Sequence, residues 1–247
     1  MREYDYLWCP EMSNDYFQFR QFIVHQQRCA MKVGTDGTLL GAWAAAPSAP
    51  RRILDIGTGT GLIALMMAQR FPQAEVIGLD IDADAVAQAC ENVSLSPFSE
   101  RVTILHQDIV NFHDTISFDA IVSNPPYFVD SLASPDRQRT TARHTVSLTY
   151  ADLMKQAFRL LNDDGIFSVV IPSESRSLIE AAACLQGFFL TRICLVRTTP
   201  RKQPKRQLIE FRKHPVKELV INEGIIEESP NVRSEWYQQL THEFYIK

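Results

Sequence analysis

The sequence predicts an α/β fold: a mostly parallel, doubly wound sheet with a small strand-and-helix extension ahead of it. Three observations carry that expectation. From residue 52 onward, short apolar runs alternate with stretches of helical spacing, the pattern of a parallel sheet with crossover helices. The first run ends in a glycine-rich turn, Asp55-Ile56-Gly57-Thr58-Gly59-Thr60-Gly61, which opens a helix. The polar residues with chemical potential then fall at the carboxyl ends of the apolar runs, where open α/β sheets bind ligands.

The elements follow in order. Phe17 to Val24 alternates apolar and polar residues, as one half-buried strand does. Thr35 or Asp36 is placed to cap a short helix through Leu39, Leu40 and Trp43. Pro47-Ser48-Ala49-Pro50 reads as a linker. Strands are expected over Arg52–Ile56, Val76–Asp80, Val102–Leu105, Phe118–Ser123 and Gly165–Ile171, with Phe188–Val196 and Gln207–Phe211 as the last two. Helices are expected from Gly61 to Phe71, Asp84 to Val93, Tyr150 to Leu161 and Ser173 to Gln186, the last with Ser173, Ser175 and Ser177 as competing caps. A C-terminal helix around Trp236-Tyr237 is expected to pack on the core.

Composition bounds the class. The chain has 247 residues, 45% hydrophobic and 22% charged, enough to bury a core without covalent staples. Its five cysteines are scattered, odd in number and never spaced C-x-x-C, which argues against a zinc site or disulfide framework and for a reducing, cytoplasmic setting. Met1-Arg2-Glu3-Tyr4-Asp5 lacks the apolar run of a signal peptide, and no stretch is apolar enough to span a bilayer, so a soluble protein, by default a monomer, is expected. The net charge of −4 is unevenly spread. Arg192 to His214 holds eight Lys/Arg and one acid, a net +7, whereas the remainder holds 17 Lys/Arg against 28 Asp/Glu, a net −11. A basic stretch on an acidic chain points to a polyanionic partner at one face.

The glycine-rich turn suits a nucleotide ligand, because glycines admit close approach and the helix start offers unpaired N–H groups. Gly59-x-Gly61-x-x-Ala64 also satisfies the loose dinucleotide fingerprint, so an NAD enzyme stays in view at this point. Asp80, at the end of the second strand after the linker, is placed to accept ribose hydroxyls, with Ile81 against an adenine face. Asp108, with Ile109 beside it, is placed to accept from an adenine amino group. Asp55 at the loop's edge would hold a ligand ammonium and repel a pyrophosphate, which tilts the reading from NAD to a sulfonium-bearing nucleoside, S-adenosylmethionine.

Asn124-Pro125-Pro126-Tyr127 follows the Phe118–Ser123 run. Two prolines stop the strand and donate no hydrogen bond. The Asn124 side-chain carbonyl and the Pro125 carbonyl can together accept both hydrogens of an NH2 group. The lone pair of an adenine amine or carboxamide is delocalised; two acceptors localise it toward an incoming methyl, an interaction strongest in the transition state. Tyr127 can stack on the flat acceptor.

Asp55-x-Gly57-x-Gly59-x-Gly61, Asp80 and Asn124-Pro125-Pro126-Tyr127 together resemble the class I S-adenosylmethionine-dependent methyltransferases in order and spacing, over about residues 30–215. The resemblance implies a seven-stranded, Rossmann-like sheet whose last strand is antiparallel. It implies a catalytic domain at 51–215, an N-terminal extension at 1–50 bordering the cofactor and substrate site, and a C-terminal extension at 216–247. Phe17-x-Phe19-x-Gln21, Lys32-Val33-Gly34-Thr35-Asp36-Gly37 and Arg139-x-x-Ala142-Arg143-His144 resemble the bacterial branch that methylates N6 of adenine 37 in a valine tRNA. By that resemblance Lys32 and Thr35 border the cofactor, while Arg139 and Arg143 lie near substrate phosphates. Arg201, Lys202, Lys205 and Arg206, in the basic stretch, would hold the RNA backbone. The same tetrapeptide is compatible with guanine-N2 rRNA and protein-glutamine N5 methylation, and the loop alone with a non-enzymatic nucleotide or RNA-binding module. No metal is expected.

Overall fold

The computed structural model describes residues 15–29, 32–125 and 148–246. Its centre is an eight-stranded sheet. In chain order the strands are β3 (Arg52–Ile56), β4 (Glu75–Asp80), β5 (Val102–His106), β6 (Phe118–Ser123), β7 (Leu161–Pro172), β8 (Phe189–Arg197), β9 (Arg206–Arg212) and β10 (Val220–Ile225). Across the sheet they lie in the order β5-β4-β3-β6-β7-β9-β8-β10. All neighbours run parallel except β9, which is antiparallel to both β7 and β8. The expected seven strands and antiparallel member are thus present. The eighth, β10, was not expected: its first four residues are exposed, so it carries no apolar signature.

The central strands are apolar on both faces because helices cover both faces. Successive residues Ile53 and Leu54 point to opposite sides, into two separate apolar clusters. One cluster lies under α1 (Thr35–Trp43), α2 (Leu62–Arg70) and α3 (Ala83–Ser94). The other lies under α4 (Tyr150–Leu160) and α5 (Arg176–Gln186). Strand order reverses between β3 and β6, so a crevice opens where the carboxyl ends of these two strands diverge.

Two local expectations are corrected. Phe17–Val24 is not one strand but a hairpin, β1 (Tyr16–Gln18) paired antiparallel with β2 (Ile23–His25). Phe19 and Phe22 turn inward together, the Phe19 N–H donates to the Phe22 carbonyl at 2.9 Å, and the two rings stack at 4.9 Å. Neither Thr35 nor Asp36 caps α1; Gly34 holds that position, and Asp36 pairs with Arg206 instead. Of the three serines competing for α5, Ser175 holds the cap position, without a side-chain bond, at the end of a 3₁₀ turn over Ser173–Ser175.

The hairpin is anchored from the far end of the sequence. Tyr245 lies 5.8 Å from both Phe17 and Phe19, and the Arg20 N–H donates to the Phe244 carbonyl at 2.8 Å. α6 (Glu235–Thr241) packs on α1 and β10, with Tyr237 buried and its hydroxyl 2.8 Å from that of Tyr245. The short pair β11 (Glu227–Ser229) and β12 (Val232–Arg233) precedes α6.

Candidate active site

The glycine-rich loop leaves β3 at the point where the sheet order reverses. Gly57, Gly59 and Gly61 have φ of +73°, +54° and +81°, a region that L side chains enter only at a cost. The space beside Gly57 and Gly59 is open: a Cβ at either would meet nothing within 4 Å. The loop is nonetheless fixed. The Gly57 and Thr58 amides both donate to the Leu79 carbonyl at 2.9 Å, and the Gly59 amide donates to Asp80 Oδ2 at 2.8 Å.

Asp55 is fully buried beneath this loop. Its Oδ2 accepts from Thr58 Oγ1 at 2.7 Å and from the Ala64 amide at 3.1 Å. Gly78 on β4 makes room for that Thr58 hydroxyl, since a Cβ there would lie 2.8 Å from it. Asp55 Oδ1 is buried with no hydrogen-bond partner. Burial pushes the Asp55 carboxyl up to about 7 against the lowering pull of its two donors, and the nearby Asp80 charge adds to the rise. A buried acceptor left unpaired beside an open glycine cradle fits a cationic, nucleoside-like ligand.

Asp80 ends β4, half-buried, with Oδ1 accepting from the Asp82 amide at 3.0 Å and Oδ2 from Gly59. Each oxygen keeps a second lone pair for a hydroxyl donor. Ile81 beside it is 44% exposed, as an apolar platform requires. Asp108 follows β5 and bends into a turn, its Oδ1 accepting from the Val110 amide at 2.9 Å and its Oδ2 from Asn111 Nδ2 at 3.3 Å. Ile109 goes the other way, its side chain buried in the second apolar cluster and withdrawn from the crevice.

Asn124 and Pro125 follow β6 on the opposite wall of the crevice. β6 pairs directly with β3, Ile56 opposite Ser123, and Ser123 Oγ donates to the Ile56 carbonyl at 2.8 Å. This brings Asn124, half-buried, and Pro125, buried, beside the start of the glycine loop. Pro126, Tyr127, Arg139 and Arg143 lie outside the described residues. Thr35 opens α1, and α1 abuts the first turn after the loop: a Cβ at Gly37 would lie 3.2 Å from Leu62. Lys32 is exposed on the segment leading there.

The basic stretch is less free than its composition suggests. Arg192 lies 3.6 Å over the Trp43 ring and 3.1 Å from Glu210, which Arg212 also reaches at 3.0 Å. Arg197 pairs with Glu223 at 3.1 Å, and Lys213 donates to the Leu161 carbonyl at 2.7 Å. Arg206, expected on RNA, is held by Asp36 at 2.8 Å. Arg201, Lys202 and Lys205 are exposed on the β8–β9 connection. Because β9 runs opposite to both neighbours, β8 ends at the same edge as β3 and β6, so this connection stands on the crevice side of the sheet.

One residue that sequence reasoning missed also shapes the site. Asn92, wholly buried on α3, donates from Nδ2 to the Thr60 and His25 carbonyls at 2.8 Å each and accepts from the His25 amide at 2.8 Å. Gln88, one turn earlier, accepts from the Arg28 amide at 3.3 Å. An amide inside an amphipathic helix has no distinguishing sequence signal. Among the described residues no group of His, Cys, Asp or Glu could hold a metal ion, and no helix is long and apolar enough to cross a membrane.

Comparison with known proteins places this geometry. The sequence profile of the methyltransferase small domain matches residues 34–191. A tRNA1(Val) (adenine(37)-N6)-methyltransferase of Phocaeicola vulgatus is 52% identical over 95% of this chain and 99% of its own. The protein of the same name from Vibrio parahaemolyticus is 42% identical over 94% of this chain and 95% of its own. Among solved structures, one from Agrobacterium tumefaciens, titled a predicted O-methyltransferase, superposes with a TM-score of 0.67 at 22% identity, covering 85% of this chain and 96% of that one. The glycopeptide N-methyltransferase MtfA, solved in complex with S-adenosyl-L-methionine, gives 0.54 at 12% identity over 74% of this chain and 90% of its own.

Proposed function

This chain belongs to the methyltransferase small-domain family, and from that premise we propose that it transfers the methyl group of S-adenosylmethionine to N6 of adenine 37 in a valine tRNA. The observation that carries the chemistry is the placement of Asn124-Pro125 across the crevice from the Gly57–Gly61 loop, on directly paired strands. The full-length relatives, which bear this one activity, support the choice of acceptor.

When bound, the cofactor supplies an electrophilic methyl on a positively charged sulfur. The chain's own residues do the remaining work. Gly57 and Gly59 admit the nucleoside to the backbone, Asp80 accepts its ribose hydroxyls, and Ile81 and Asp108 meet the adenine. Asp55 Oδ1 accepts from the ammonium end. The Asn124 side-chain carbonyl and the Pro125 carbonyl accept the two hydrogens of the target amine and turn its lone pair toward the methyl. A proton is lost from that nitrogen only after it has gained a bond, so no strong base is required beforehand. Pro126 and Tyr127 complete the clamp, with Tyr127 stacking on the extruded base. Arg201, Lys202 and Lys205, together with Arg139 and Arg143, hold phosphates in the cytoplasmic tRNA substrate.

The test is incubation with labelled S-adenosylmethionine and separate tRNA, rRNA and protein fractions, followed by digestion to nucleosides. N6-methyladenosine from tRNA is expected. Label confined to protein, or recovered as N2-methylguanosine, would overturn the acceptor assignment.

A further inference from the structure

Asn92 stands in a helix with no exposure, although asparagine is a poor helix former. The His25 N–H can only donate, so it fixes the Asn92 oxygen toward β2. Both Nδ2 hydrogens are then committed, one to His25 and one to Thr60. The Thr60 carbonyl sits between Gly59 and Gly61, both at positive φ, where the backbone has most freedom to rotate. α3 approaches closely here, with Ala89 lying 3.4 Å from where a Gly61 Cβ would stand. A single buried carboxamide therefore joins three separate pieces: the hairpin, α3 and the most freely rotating part of the glycine loop.

We propose that Asn92 is a positioning residue that holds the cofactor loop in its binding conformation and makes that conformation depend on the docked hairpin. This deepens the methyltransferase reading and rests on it, since it takes the loop to be the cofactor's. Without Asn92 the Thr60 carbonyl loses its buried partner, and the peptide planes on either side are free to turn. The neighbouring Gln88 bonds the same N-terminal segment but not the loop, so it separates a positioning role from a packing one.

Asn92→Ala and Gln88→Ala are compared with the unaltered protein by three measurements: hydrogen exchange at the loop amides without ligand, calorimetric affinity for S-adenosylhomocysteine, and turnover at saturating cofactor and tRNA. For Asn92→Ala we expect loop exchange to accelerate and affinity to fall, each by about tenfold or more, with saturated turnover within about twofold. For Gln88→Ala we expect faster exchange at Arg28 and affinity within about twofold. Loop exchange unchanged in Asn92→Ala, or an affinity loss equal to that of Gln88→Ala, would overturn the proposal. Should Asn92→Ala not fold, Asn92→Ser takes its place under the same criteria. Failure of the unaltered protein to bind S-adenosylhomocysteine would instead overturn the functional reading; the ligand-free exchange data tell the two failures apart.

Discussion

Arg206 Nε reaches Asp36 Oδ1 across 2.8 Å, joining the first residue of β9 to the first turn of α1. The pair braces the helix that abuts the cofactor loop, and it divides the basic residues into two kinds. Lys202 and Lys205 stand exposed, whereas Arg206 is half-buried and already matched by an opposite charge. Replacing Lys202 and Lys205 by Ala is expected to weaken tRNA binding and to reduce the slope of log affinity against log salt by roughly one to two. Arg206→Ala is expected to lower stability by about 1 kcal/mol and leave that slope unchanged. Fluorescence anisotropy over a salt series, with thermal melts alongside, distinguishes them; a slope lowered only by Arg206→Ala would reverse the assignment.

Asn124→Ala removes one of the two acceptors proposed to grip the target amine. Turnover should fall by about 10²–10³-fold, the size of effect seen when one preorganised transition-state partner is lost. Affinity for S-adenosylhomocysteine should change far less. Equal losses in both would make Asn124 a cofactor ligand.

Asp55 gives the protein a specific pH response. Its folded-state carboxyl titrates at about 7, against an ordinary value of 3.8, because burial disfavours the charge. Between those values the folded chain keeps a proton that the unfolded chain has lost, so stability erodes as pH rises and levels off above about 7. Asp55→Asn removes the titration. The melting temperature of the variant minus that of the unaltered protein should therefore grow from pH 5 to pH 8; a constant difference would show that Asp55 takes up no proton on folding, against what its burial demands.

Gly59→Ala tests the open space in front of the loop. The positive φ alone should cost about 1–2 kcal/mol, a drop of a few degrees in melting temperature for a chain of this size. The added methyl meets no protein atom, so a loss of cofactor affinity beyond about tenfold would come from the ligand's own volume. Affinity that falls no further than stability would place the nucleoside elsewhere.

Thiol chemistry reports on the same region. Burial, reinforced by Asp80, Asp82 and Asp84, pushes the Cys29 thiol up to about 11, and burial does the same for Cys194. Cys90 and Cys184 are exposed. Alkylation at pH 8 with peptide mapping should label Cys90 and Cys184 before Cys29 and Cys194. Early labelling of Cys29 would mean that its segment is not docked beside Asp80.

Much of the sheet was readable because buried parallel strands are written as continuous apolar runs, as in Ile53 to Ile56 and Ala120 to Val122. Gly57, Gly59 and Asp80 were readable because their backbone and terminal positions demand those residue types. What escaped was set by partners distant in sequence. The charge of Arg192 is matched by Glu210 only through the register of β8 on β9. Phe17 to Val24 fits a strand pattern locally, yet Tyr245 and Phe98 draw its inner phenylalanines into a hairpin. Ile109 follows an acid at a strand end, as a ligand contact would, but faces the core because Asp108 starts a turn.

The hydrogen bond from Arg20 to Phe244, and the packing of Phe17 and Phe19 on Tyr245, have a kinetic consequence. Contacts between residues this far apart along the chain form late, after the sheet has closed the distance. During synthesis the hairpin therefore waits for Phe244 and Tyr245 to be made before it has its full aromatic seat. A growing polypeptide can assemble the glycine loop and the crevice before Phe244 and Tyr245 are made, so the hairpin, earliest of the described elements along the chain, gains its full seat only after them.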